Sequence, residues 1–365
     1  MLNRIDRWIF HGYPARVGDL AVLRVMYASY MILGQFPRAT WILDSPSAFF
    51  APPPGPAAMF TDWPADGVIL GLNWAYLLGL VALLIGWRTP IASLVSGVVF
   101  IALGCWTHAS VKINHDILLG VLPLAMAASG WGRWWSLDAR RPGSSPGEPA
   151  RGWCLSLLAL MIGAAMATAG WAKFSTGWLD TTTHSTYGYL TSQFVRGEAG
   201  PLAEVVLTSR PEWLHELGDW AAVWLELGFL AATFWRPAFR WCLGLAVVFH
   251  LGNWLLFDIH FGSNVVVYGA FVPWSRLVPP SWLSRTPRPS TLGVGGLLAF
   301  GYGAWMMLAE PLLLWSSRAN SSSIVLDRVV ILIGTAIAAL FFARSLGRLV
   351  SPAREGPGRS TLGNP

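Results

Sequence analysis

Apolar residues in this chain fall in long unbroken blocks rather than in amphipathic stripes, and that pattern admits few folds. A run of about 18 or more apolar residues with few charges reads as a membrane-crossing helix. Ten such blocks can be marked, at about 18–36, 68–86, 90–108, 115–131, 153–172, 218–235, 239–257, 261–275, 292–309 and 324–343. The fourth and eighth are short for a crossing and could be tilted, broken or re-entrant. Composition agrees with this class. Hydrophobic residues make up 54% of the chain and charged residues 12%, well below the roughly 25% charge of an ordinary soluble domain. The expected fold is all-α: a polytopic integral membrane helical bundle of about ten spans, eight at the fewest.

Met1 to Gly18 is polar and bears arginine, with no apolar signal core or small-residue cleavage site, so the first span is expected to act as its own insertion signal. With ten spans and the N-terminus inside, 17 basic residues fall in inner segments and seven in outer ones, with Arg24 inside the first span. That excess marks the inner side as cytoplasmic and puts both termini there. The net charge of +6 then follows from topology and contact with membrane lipid. No arginine run is dense enough to argue for a nucleic-acid partner. Cys105, Cys154 and Cys242 lie in or beside apolar blocks without metal-motif spacing, which suits buried thiols.

The expected organisation is a cytoplasmic segment 1–17, a transmembrane domain 18–275, an additional helical pair 276–345 and a flexible cytoplasmic tail 346–365. Two outer loops are long. Loop 37–67 carries Trp41, Phe49, Phe50, Phe60 and Trp63, which suit the membrane interface. Loop 174–217 is long enough to need structure of its own and is expected to form a cap.

Lysine is nearly absent. Lys112 and Lys173 are the two in the chain, among 25 basic residues. Arginine keeps its charge in proteins, whereas a partly desolvated lysine can lose its proton near neutral pH. Both lysines, with His108, His115, His184, His250 and His260, fall towards the outer ends of spans, where Asn114, Asp116, Asp180, Asn253 and Asp258 also lie. Inner boundaries carry arginine instead. Polar groups collect at any water boundary, but the asymmetry points to an outward-facing site. Within the spans Arg24, Glu226 and His250 stand out, since an ionisable residue in lipid is costly. Arg24 is near enough to the inner surface to snorkel. Glu226 must be protonated, face a wet cavity, or pair with a cation such as Arg24 or His250. The histidines and carboxylates include metal-ligand types, but no ligand-pair spacing occurs and no metal is expected. Nucleophile-elbow, Walker and dinucleotide fingerprints are absent from the sequence.

Three strings carry a family resemblance. They are Ala169-Gly170-Trp171-Ala172-Lys173-Phe174 with Trp178; Phe249-His250-Leu251-Gly252-Asn253 closing near Phe271-Val272-Pro273-Trp274; and Asn114-His115-Asp116-Ile117-Leu118-Leu119 followed by Trp134-Trp135-Ser136-Leu137-Asp138. With Arg24 and Glu226 in order, residues 16–275 resemble the HTTM membrane-domain family, the bacterial relatives of vitamin K-dependent gamma-carboxylase. The resemblance implies a bacterial inner-membrane protein that uses a lipid quinol of the vitamin K or menaquinol type, with its site on the extracytoplasmic side. It makes Lys173 the general base with His250 beside it as catalytic, and it assigns Asn253, Asn114, His115, Asp116 and Trp178 to quinol binding. Arg24 and Glu226 are the structural intramembrane polar residues. The activity implied is a lyase or oxidoreductase, a carboxylase or epoxidase in type, acting on a peptide or small-molecule substrate. Two features depart from the pattern: the paired lysine is Ala172-Lys173, and Ser175, Thr176 and Gly177 stand where acidic residues are expected. These 365 residues also hold no counterpart of the carboxylase's large extracytoplasmic domain, which favours quinol chemistry over protein carboxylation. A non-catalytic accessory role in maturing or exporting a peptide or lipid partner is the alternative.

Overall fold

Among the described residues the backbone is helical, with no strand beyond one isolated bridge between Arg16 and Pro149. This computed structural model describes residues 2–36, 39–52, 56–109, 116–140, 145–209, 212–285, 287–308 and 318–350. The helices are α1 (Leu2–His11), α2 (Val17–Leu33), α3 (Asp66–Ile85), α4 (Thr89–Thr107), α5 (Ile117–Met126), α6 (Gly152–Ser175) and α7 (Ser185–Val195). They continue with α8 (Ala203–Ser209), α9 (Glu212–Ala232), α10 (Arg236–Phe257), α11 (Gly262–Tyr268), α12 (Pro280–Leu283), α13 (Pro289–Leu308) and α14 (Arg318–Val350).

Among the described residues, six helices are long and apolar enough to cross a bilayer: α3, α4, α6, α10, α13 and residues Ser323–Arg348 of α14. Two further apolar blocks miss for physical reasons. Helix α2 has 17 residues, a rise of about 25 Å. Helix α9 has the length but carries Glu212, Glu216, Asp219 and Glu226. The fourth and eighth blocks are broken. Helix α5 has 10 residues with Pro123 inside, and α11 has seven, so neither exceeds about 15 Å of a core roughly 30 Å thick. They pack on each other, and α11 also packs on α2 and α14. Every residue of α11 is buried. Broken backbone at membrane depth is tolerated where protein encloses it, and α11 meets that condition.

The arginine-bearing loops meet at one end of the bundle. There Val17 N–H donates to Glu148 O at 2.9 Å, Ala150 N–H to Ala15 O at 2.9 Å and Asp19 Oδ1 accepts Ser275 N–H at 2.6 Å. The string Trp134-Trp135-Ser136-Leu137-Asp138 organises this end. The two indoles donate to Leu283 O (2.8 Å) and Arg285 O (3.0 Å). Asp138 caps α4 by accepting Arg88 N–H (3.0 Å) and Thr89 N–H (2.8 Å). Gly86 ends α3 with φ of +68°, and a Cβ there would lie 2.0 Å from the Ser136 Cβ.

Arg24 sits at the centre of this node and is 0% exposed. It does not snorkel. Its Nε donates to Trp131 O (3.2 Å), Nη1 to Leu83 O and Leu84 O (3.1 Å), and Nη2 to Trp134 O (3.3 Å) and Trp135 O (2.5 Å). All five guanidinium N–H groups are thereby used, and they satisfy carbonyls at the end of α3 and in the loop before α6.

At the opposite end, loop 174–217 folds as a cap. Helix α7 packs on α8, α9 and α10, and α8 packs on α10; the cap is tied down by Gly200 N–H to Leu256 O and Leu202 N–H to Leu255 O, both 2.9 Å. In loop 37–67 the Trp63 ring meets Trp41 at 5.9 Å and Phe50 at 5.1 Å. Helix α14 joins this end through Asp327, whose Oδ1 accepts Tyr30 Oη–H (2.5 Å) and Gln35 Nε2–H (3.0 Å). The three cysteines are free thiols.

Two outcomes test this arrangement. With the native cysteines replaced by alanine, Gly147→Cys and Thr182→Cys should react with an impermeant maleimide from opposite sides of the membrane; labelling from one side would refute the placement of the two ends. Because Leu83 O also accepts Gly86 N–H, four carbonyls depend on Arg24 alone; Arg24→Lys offers them three donors, leaving at least one unpaired at about 1–3 kcal/mol. Its thermal midpoint in detergent should fall well below that of the native protein.

Candidate functional site

The interface of α6 with α9 is the most extensive helix pair in the fold, and small residues on α6 make it close. A Cβ on Gly170 would lie 2.8 Å from Leu227 N and 2.9 Å from the Glu226 Cβ, so only glycine admits α9 at this distance. Small residues are the usual means by which helices approach in lipid. One turn further along α6, Lys173 closes the gap. Its Nζ lies 2.7 Å from Glu226 Oε1 and 2.6 Å from Oε2. Glu226 is thus neither Arg24's nor His250's partner; its cation is Lys173. The Glu226 side chain is 6% exposed and that of Lys173 23%, so the pair sits at a helix seam with one edge open.

That edge is aromatic. The Lys173 Nζ stands 5.5 Å from the centre of the Trp178 ring, close enough for a cation–π contact. The chain turns back after α6 so that Trp178 N–H donates to Lys173 O at 3.2 Å, which fixes the indole over the amine. Trp171 and Phe174, 5.6 Å apart, face outward from the same helix end, with Trp171 62% exposed.

His250 is 1% exposed and shares a 3.1 Å hydrogen bond through Nε2 with Tyr268 Oη. Its ring stacks on Phe261 at 4.5 Å and 16°. Tyr268 Oη also meets Met166 Sδ at 3.9 Å. Met166, Gly170 and Lys173 share a face of α6 at i, i+4 and i+7, which places the His250–Tyr268 pair about 10 Å deeper along the helix than the Lys173–Glu226 pair. Tyr268 lies in charge range of Glu226. The two pairs therefore line one seam without His250 touching Lys173.

Sequence reasoning missed Tyr268. A tyrosine inside a buried half-helix, 18 residues from His250, carries no local signal. Asp327 was missed as well, because it lies at the edge of an apolar block. Asn253 is half-buried one turn beyond His250. Asp116 lies in charge range of Asp327 and Tyr30, on the α2–α14 side. Asn114 and His115, with Lys112, lie outside the described residues.

The other outer polar residues tie the cap. His184 Nδ1 meets Glu216 Oε1 at 2.8 Å, and Thr186 donates N–H (2.9 Å) and Oγ1–H (2.6 Å) to Asp219 Oδ1. Arg328 bridges Asp258 Oδ1 and His260 Nε2, both at 3.1 Å. Burial pushes the His260 imidazole below its ordinary value against the pull of Asp258, and Arg328 lowers it further. A neutral ring suits its role as acceptor. Among the described residues, no three His, Cys, Asp or Glu side chains gather as a metal ligand set.

The HTTM domain model matches residues 13–274. The chain belongs to the HTTM domain family. The match covers α2 to α11, and with it both pairs on the seam; α13 and α14 lie beyond it. No curated protein and no solved structure matches the chain.

Breaking a buried ion pair strands the surviving charge, whereas replacing both partners by apolar residues can be nearly neutral. Lys173→Met and Glu226→Leu should each cost about 3 kcal/mol in thermal stability. The double variant should be closer to the native protein than either single one. Additive losses would show that the two charges do not interact.

Proposed function

We propose that this HTTM-domain membrane protein is a lipid-quinol-linked enzyme, carboxylase, epoxidase or oxidoreductase in type, in which Lys173 and Glu226 carry the proton chemistry. The observation that supports this reading is the contact of one amine with both oxygens of one carboxylate, 2.6–2.7 Å apart, at a seam whose open edge is aromatic and apolar.

At rest the pair is ammonium and carboxylate, stabilised by mutual charge. An apolar ring-bearing ligand lying against Trp178 would cover the exposed edge of Lys173 and disfavour both charges. The proton then has a short path from Nζ to Oε2, leaving a neutral amine beside a carboxylic acid. The Lys173 amine is now a base and takes a proton from an acidic hydroxyl of the ligand, becoming ammonium again beside the oxygen that lost it. A lipid quinol, when bound, would supply the reducing equivalents, and through oxygen the stronger base used in carboxylase-related chemistry. The His250–Tyr268 pair gives the seam a second proton-bearing couple in charge range of Glu226. A peptide or small-molecule substrate would approach from the capped end.

A second reading has its own support. A cavity of about 250 Å³ is lined by Tyr268 but by none of Lys173, Glu226, His250, Asn253 or Trp178. In that reading the ion pair is an interhelical clamp, and the chain is a non-catalytic accessory for a peptide or lipid partner.

Lys173→Arg separates the two, because arginine can hold Glu226 but cannot surrender its proton. With the protein in nanodiscs and menaquinol supplied under oxygen, Lys173→Arg should keep the native thermal midpoint and lose about 100-fold or more in quinol oxidation. Equal rates for the native and variant proteins would overturn Lys173 as base. No oxidation by the native protein would favour the accessory reading.

A further inference from the structure

The 250 Å³ cavity lies between α10, α11 and α14, at the arginine-bearing end of the bundle. Its walls are apolar, with Leu243, Val247, Val265, Ile337 and Phe341 among them. Its mouth is not. Arg240 in the second turn of α10, Arg276 in the turn after α11, and Arg344 and Arg348 at the end of α14 all line it. Arg236, Arg276 and Arg348 lie in charge range of Arg240, so the cluster repels itself. Among the described residues no carboxylate pairs with any of the four. Asp19 lines the adjoining hollow, but its Oδ1 holds the Ser275 N–H at 2.6 Å. The Arg240 guanidinium rests 5.1 Å over the Phe341 ring, which orients it without neutralising it.

Four arginines around the mouth of an apolar slot are complementary to one chemistry: an anionic head on a hydrocarbon tail. We propose that this cavity binds an anionic phospholipid, its phosphate among Arg240, Arg276, Arg344 and Arg348 and one acyl chain in the slot between α10 and α14. Basic pockets between membrane helices take such headgroups, and guanidinium planes match phosphate oxygens in pairs. The site does not depend on any chemistry at Lys173, which lies at the other end of α6. Arg344 and Arg348 belong to a helix outside the family match, so this headgroup cradle is completed by the part of the chain that the family domain lacks.

The test uses the full chain, delipidated in detergent, with native mass spectrometry and thermal shift as readouts. The probes are dioleoyl phosphatidylglycerol, dioleoyl phosphatidylcholine and glycerol phosphate. The native protein should retain the phosphatidylglycerol about tenfold better than the phosphatidylcholine and gain stability from it alone. Arg276→Gln/Arg344→Gln/Arg348→Gln should abolish the preference without lowering the unliganded midpoint. Ile333→Trp, on the exposed side of the slot, should weaken phosphatidylglycerol binding with all four arginines in place. Arg4→Gln/Arg7→Gln/Arg285→Gln removes the same charge from the same end and should leave the preference intact. Equal binding of both lipids would overturn the proposal. So would equal losses in the two triple variants, unchanged binding in Ile333→Trp, or full stabilisation by glycerol phosphate.

Discussion

Five backbone carbonyls converge on Arg24, four of them without a backbone donor and the fifth, Leu83 O, shared with Gly86 N–H, and the basic end of this bundle depends on that meeting. A helix end buried without donors is costly in lipid, where water cannot substitute. Here the cost falls on the end of α3 and on the loop from Trp131 to Trp135. One guanidinium answers it because its five N–H groups are fixed in a plane and spread over three directions. A charged residue at membrane depth is thus tolerable when its charge is spread over carbonyl dipoles. Gly86 belongs to the same solution. A side chain there would collide with both Ser136 and Arg24.

The second buried charge is handled by the opposite principle. Glu226 is satisfied by a full opposite charge at 2.6 Å rather than by dipoles. The approach of α6 to α9 that Gly170 allows brings the amine into range. Dipolar satisfaction locks a side chain permanently, since no proton can be exchanged. An ammonium–carboxylate pair can exchange one, and its balance shifts with whatever covers its open edge. Arginine at 24 and lysine at 173 therefore suit different tasks. The near-absence of lysine elsewhere removes other amines with a movable proton from the bundle.

The two ends of the bundle differ in kind. The capped end carries His184 with Glu216, His260 and Asp258 with Arg328, and the aromatic rim around Lys173. The other end carries the unneutralised arginines and an apolar slot. Tyr268 touches both, with its hydroxyl on His250 and one face on the slot. Occupancy of the slot and the position of the His250–Tyr268 pair thus share a side chain.

Apolar block length, the charge count and the arginine asymmetry determined the class of this protein, because lipid punishes the alternatives severely enough to be read residue by residue. The fourth and eighth blocks were legible as short, with tilt, break and re-entry left open; the structure breaks them, with ten residues of helix around Pro123 in the fourth and seven in the eighth. The strings around Lys173, His250 and Trp134 marked where specific side chains would matter. Their partners could not be read. Glu226 is 53 positions from Lys173, and the Arg24 carbonyls are 59 to 111 positions from Arg24. Helix α6 is apolar through almost its whole length and has no polar face to announce its rotation, so sequence alone left Arg24, His250 and open water as alternatives for Glu226. Packing decided between them. Gly170 admitted α9 at one rotation, and that rotation placed Glu226 against Lys173.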